Sequence, residues 1–139
     1  MDYPDIIYNA KTNWFQADRV DILKGNKSDI NFTMSADIGK ISGSIRVPDG
    51  AEAGDEIWVD AFSESERSNG AAMVKVATSC NETGGCIAGT YSINGLKKAD
   101  DYVVIVNSEK YQTIFYDGQQ TFNDITLVDI SSTDQTDID

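Results

Sequence analysis

The chain contains no histidine, only two cysteines and two prolines in 139 residues, and 11 lysines and arginines against 23 aspartates and glutamates. Each shortage excludes something. Without histidine, the commonest general acid or base near neutral pH is missing, and neither a Ser-His-Asp nor a Cys-His nucleophilic site can be assembled within the chain. Glu64 and Glu66 are paired carboxylates, but they stand in a polar stretch without the burial or close partners that perturb an acid. They read as solvated, and no enzyme is expected. The net charge of −12 argues against nucleic acid and anionic membrane as partners, because phosphate recognition needs clustered Lys and Arg. No apolar run reaches the length that spans a bilayer. Met1 is followed at once by Asp2-Tyr3-Pro4-Asp5, which is not an export signal, so an exported protein would carry its signal upstream.

What is present is a succession of short strand patterns. Ile41, Ile45 and Val47 share one face at period two,, and Pro48-Asp49-Gly50 turns the chain. Ile57–Phe62, Ala72–Thr78 and Gly89–Ile93 follow, the last expected to end in a turn at Asn94-Gly95. Tyr102–Val106 is continuously apolar, as a central strand covered on both faces would be. Thr113–Tyr116 and Phe122–Ile130 complete the series. No segment keeps a helical period. Close-set strands separated by Gly, Asn and Asp turns predict an all-β fold, an antiparallel sandwich or barrel.

The sequence also repeats itself. Tyr3–Asn31 aligns without gaps on Tyr111–Asp139 at an offset of 108 residues, with 8 identities in 29 positions. Tyr3, Ile6 and Tyr8 match Tyr111, Ile114 and Tyr116. Val20-Asp21-Ile22 matches Val128-Asp129-Ile130, and Asp29-Ile30 matches Asp137-Ile138. A period this long is a domain period. It divides the chain into residues 1–31, the closing strands of a preceding repeat or a docking segment, and residues 32–139, a β-sandwich repeat domain.

Cys80 and Cys86 flank Asn81-Glu82-Thr83-Gly84-Gly85, a turn composition that sets the two across the neck of a hairpin. A disulfide is expected there, with two free thiols as the alternative. The disulfide would imply an oxidising compartment. Asn26-Lys27-Ser28, Asn31-Phe32-Thr33 and Asn81-Glu82-Thr83 fit the N-glycosylation triplet.

The order of segments resembles the prealbumin-like sandwiches grouped as carboxypeptidase regulatory-like and Cna-B-like domains. The residues that carry the resemblance are Ile41-Ser42-Gly43-Ser44-Ile45, Val59-Asp60-Ala61-Phe62, Gly89-Thr90-Tyr91-Ser92-Ile93-Asn94-Gly95-Leu96, Asp101-Tyr102-Val103-Val104 and Tyr116-Asp117-Gly118. The resemblance implies about seven strands and no active site. It implies a tandem spacer, stalk or adhesin unit of a secreted or cell-surface protein.

Two binding chemistries remain open. Asp49, Glu52, Asp55 and Glu56 lie on one Gly-containing loop, and hard oxygen ligands on such a loop suit calcium; no other cofactor is expected. Trp14 and Trp58 are candidates for stacking on a sugar ring. Trp58 is out of phase with Ile57 and Val59 on its strand: either it faces out, or that pair does, or both faces are covered. The expectation is therefore an extracellular, non-catalytic structural or interaction module whose partners are neighbouring repeats, polysaccharide or a surface protein. The alternatives are a carbohydrate-binding accessory module, or a fibre subunit that forms homo-oligomers by strand addition.

Overall fold

The computed structural model describes residues 17–21, 23, 25–32, 36–47, 51–76 and 86–139. Among them are six strands in two sheets: β1 (Ile38–Val47), β2 (Glu56–Ser63), β3 (Ser68–Lys75), β4 (Cys86–Lys97), β5 (Tyr102–Asn107) and β6 (Ile114–Phe115). One sheet pairs β1 with β4. The other has the order β3-β2-β5-β6, and every pairing between named strands is antiparallel. The fold is all-β, as the pattern of short alternating segments requires.

Alternation decides which side chains turn inward. On β2, Ile57, Val59, Ala61 and Ser63 are buried while Glu56 and Trp58 are exposed. On β1, Ile41, Ile45 and Val47 are buried, and on β4 Tyr91, Ile93 and Leu96. These residues join Val74, Tyr102 and Val104 in one core that both sheets share. Burying each large aliphatic side chain contributes roughly 1.5–3 kcal/mol. β5 is paired on both sides, and Tyr102, Val103 and Val104 are buried in succession, in keeping with its unbroken apolar run.

Three expectations are corrected. The third strand begins at Ser68, earlier than Ala72, because the β2–β3 ladder stays in register down to Ser63 opposite Ser68. The turn at its end is tied down by Asp101, whose carboxylate accepts from the Ser63 hydroxyl and the Ser65 amide. Asn94-Gly95 does not end the fourth strand. Gly39 pairs with Leu96 and Ile41 with Ile93, so two residues of β4 face one of β1, a bulge. Gly95 does take the positive φ of 76° that a glycine permits,, but spends it in that bulge. Finally, Phe122–Ile130 is not a strand. It holds a 3-10 turn at Phe122–Asp124 and a single bridge between Val128 and Tyr102. The Asp124 carboxylate accepts from the Thr121 hydroxyl, and the Asp129 carboxylate from the Ser131 amide. Such local bonds offer the backbone an alternative to a ladder.

Candidate functional site

The outer side of β1 is closed by residues 134–139. β4 covers one side of β1, leaving the amides of Lys40, Ser42 and Ser44 directed at the other. The Lys40 amide donates to Asp134 Oδ1 at 3.0 Å, and the Ser42 amide to the Gln135 carbonyl at 3.0 Å. Both the amide and the hydroxyl of Ser44 donate to Asp139 Oδ1, each at 2.8 Å. In return, the amides of Gln135 and Ile138 donate to the carbonyls of Lys40 and Ser42 at 3.0 and 3.1 Å. Ile41 and Gln135 form a parallel bridge, so this segment runs alongside β1 in the same direction. It seals an edge that would otherwise present unpaired backbone groups.

Side chains lock the seam. Ile130 and Ile138 are buried, and the Tyr91 hydroxyl donates to the Ile138 carbonyl at 2.6 Å. Burial, reinforced by the nearby Asp139 charge, pushes the Tyr91 phenol well above its ordinary value, so it remains a donor. The Ser44 hydroxyl and amide hold the Asp139 carboxyl below the usual carboxylate range, so it remains an acceptor. Two glycines of β1 allow the approach. A Cβ at Gly43 would lie 2.0 Å from the Ile138 carbonyl oxygen, and one at Gly39 2.9 Å from Ile130 Cδ1.

The loop acids expected to bind calcium are engaged by cations. Lys110 Nζ reaches Glu52 Oε2 at 3.1 Å and pairs with Asp55, and Glu56 pairs with Lys75 at 3.1 Å. Asp49 lies outside the described residues. The Asp55 carboxylate also accepts from the Tyr111 hydroxyl at 2.6 Å and from the Glu52 amide at 3.2 Å. The lysine, with the tyrosine adding to it, holds Asp55 below the usual carboxylate range. Asp55 therefore joins its own loop to the one after β5. Calcium would have to displace Lys110 to bind there, and among the described residues no three acidic or sulfur side chains converge as a metal set.

Trp58 faces out, 47 % exposed. It stands opposite Met73 on β3 and Asn107 on β5. Asn107 Nδ2 donates to Asp60 Oδ2 at 3.0 Å, which places an amide and a carboxylate beside the indole. Farther along the same face, Phe62, Phe122 and Phe115 form an aromatic run, with ring centroids 6.5 and 5.2 Å apart. A separate cleft of about 350 Å³ opens between β1 and β6, lined by Ile45, Val47, Ile57, Val106 and Ile114 among others. Trp14 lies outside the described residues. So does the expected Cys80–Cys86 disulfide; β4 begins at Cys86, whose backbone pairs with Val47.

The sealed β1 edge was not anticipated. Asp134 and Asp139 supply its side-chain acceptors from 94 and 95 residues away. The available signal was the glycine pair on the opening strand: Gly43 admits the Ile138 backbone and Gly39 the Ile130 side chain. No family model, curated protein or solved structure matches this chain.

Proposed function

We propose that this chain is a tension-bearing, non-catalytic module of an extracellular or cell-surface repeat protein, a prealbumin-like β-sandwich working as a spacer or stalk unit between neighbouring domains. The parallel seam between β1 and residues 134–139 carries the reading. In a parallel pair the leading end of β1 and the trailing end of the closing segment lie at opposite ends of the seam. Tension applied through residues 32 and 139 loads its five amide hydrogen bonds together, in shear. Each is worth only about 1 kcal/mol net, but resistance to forced unfolding is set by the barrier, and in shear several bonds must break at once. The absence of histidine and the acidic surface fit a spacer that stays soluble and repels its copies.

Single-molecule pulling tests this. With handles at residues 32 and 139, unfolding is expected to need several-fold more force than with handles at residues 52 and 139. In the second geometry both attachment points lie at the same end of the seam, which opens one bond at a time. Equal forces in the two geometries would remove the mechanical reading.

A second reading rests on a different observation. The exposed Trp58, flanked by Asp60 and Asn107, combines a stacking ring with hydrogen-bonding groups, as a carbohydrate-binding surface does. In that case Trp58→Ala abolishes retention on insoluble polysaccharide while costing less than about 1 kcal/mol in stability, as an exposed position should. If the unsubstituted chain is retained by no polysaccharide in a broad panel, this reading fails.

A further inference from the structure

The repeat between residues 3–31 and 111–139 has a counterpart in the backbone. The Leu23 amide donates to Asp21 Oδ1 at 2.9 Å, and 108 residues later the Ser131 amide donates to Asp129 Oδ1 at 2.8 Å. The Ser28 hydroxyl donates to Asp29 Oδ2 at 3.1 Å, and the Thr136 hydroxyl to Asp137 Oδ2 at 3.2 Å. Asp29 and Asp137 both take positive φ, 63° and 61°, a conformation that residues with a Cβ seldom adopt. Two segments 108 residues apart thus carry the same turn and the same left-handed residue at matching positions.

In residues 125–139 these features serve docking. Three side chains of that segment are buried, Val128, Ile130 and Ile138, and their counterparts are Val20, Ile22 and Ile30, identical in each case. The other two identities are Asp21 and Asp29, which match the turn-forming Asp129 and the left-handed Asp137. Asp134 and Asp139, the acceptors for the β1 amides, match Asn26 and Asn31, whose amide oxygens accept in the same way. Of the other positions where the two segments differ, Thr126, Leu127, Ser131, Ser132 and Thr133 are exposed, and Ile125, which matches Ala17, is partly buried. Gln135 contributes only its backbone to the β1 pairing, so Lys27 serves equally.

Residues 17–31 therefore hold the side chains that a β1 edge requires, yet none of their described residues is buried, and Val20 is 40 % exposed. The β1 edge of this domain is already filled by its own closing segment. Resting on the repeat-module reading, we propose that residues 17–31 close the β1 edge of a second copy of this domain, the copy that precedes it in a tandem array. The partner surface is the counterpart of Gly39, Gly43, Ser42, Ser44 and Tyr91 in that copy.

The test is a full-length chain in which residues 125–139 are replaced by residues 17–31, compared with the same chain carrying Val20→Ser, Ile22→Ser and Ile30→Ser in the transplanted segment. Amide exchange at Ser42 and Ser44 reports the seam directly. Protection within about tenfold of the unsubstituted chain, and at least ~100-fold weaker in the serine control, is the expected result. Loss of protection in both chains, or retention in both, overturns the proposal. A second chain guards against a faulty junction: the transplanted chain continued by another copy of residues 32–139. Here the leading copy is expected to keep its protection in a monomer. A leading copy left unprotected, or protected only in a dimer, overturns it. The pulling experiment on the unsubstituted chain does not depend on residues 17–31, so the two readings can fail separately.

Discussion

Gly43→Ala is expected to cost about 3–5 kcal/mol, at the upper end for a single substitution, and to strip residues 134–139 from β1. The added methyl would sit 2.0 Å from the Ile138 carbonyl oxygen and 2.5 Å from the carbonyl carbon. Those are backbone atoms, held by the Ile138–Ser42 and Tyr91–Ile138 hydrogen bonds, so no side chain can swing aside to make room. Relief comes only by undocking. That exposes Ile138, worth roughly 1.5–3 kcal/mol, and gives up several hydrogen bonds of about 1 kcal/mol each. Alanine recovers at most about 1 kcal/mol by restricting the unfolded chain. Gly39→Ala is the internal comparison. Its methyl meets the end of the Ile130 side chain at 2.9 Å, which can shift, so about 1–2 kcal/mol is expected, in the range of modest overpacking. Urea denaturation of both variants, with amide exchange at Ser42 and Ser44, decides the matter. If Gly43→Ala costs no more than Gly39→Ala and leaves those amides protected, the closing segment does not lie where the seam requires.

What the sequence disclosed and what it hid divide along a physical line. β1, β2 and β5 were legible because each buries one face, or both, and period two or an unbroken apolar run records that directly. Ile57 and Val59 inward with Trp58 outward is one of the phases the alternation allowed. The closing region was misread because its residues alternate as a strand's would, Val128 and Ile130 buried between exposed Leu127 and Asp129. Alternation does not report pairing, and the one bridge this stretch forms among the described residues is from Val128 to Tyr102. The docking of Asp134 and Asp139 onto Lys40 and Ser44 spans 94 and 95 residues, and no local pattern reports so distant a pairing. The internal repeat did carry that information in another form. Val128, Ile130 and Ile138 were matched in the first copy before anything showed that they were the buried members of the segment. Trp58 was legible as an alternative between faces, and packing resolved it. Asp55 was legible as an acid on a loop, but its partners Lys110 and Tyr111 come from 55 and 56 residues away.

Tyr102→Ala is expected to cost about 3–5 kcal/mol, as much as Gly43→Ala, but by another route. Tyr102 is fully buried and joins three parts of the molecule. Its backbone pairs with Ser63 of β2. It also exchanges hydrogen bonds with Val128, at 3.1 Å from its amide and 2.8 Å to its carbonyl. Its hydroxyl donates to the Lys97 carbonyl at the end of β4, at 2.8 Å. Alanine keeps the backbone bonds and deletes the ring, leaving a cavity where the two sheets and the closing segment meet. Tyr102→Phe removes only the hydroxyl. Because Lys97 is half-buried, water can replace the donor, and the expected cost falls to about 1 kcal/mol. Denaturant melts of the two variants separate the ring from the hydroxyl, and equal losses would mean that the bond to Lys97, rather than packing, holds this junction. The comparison with Gly43 reaches the proposed function. Tyr102 lies outside the β1 seam, whose bonds break first under shear, so Tyr102→Ala should lower equilibrium stability yet leave most of the unfolding force between residues 32 and 139. Gly43→Ala should lower both. A barrier responds chiefly to interactions lost on the way to the transition state. If the two variants weaken mechanically in parallel, resistance is spread through the core and the β1 seam has no special part in bearing load.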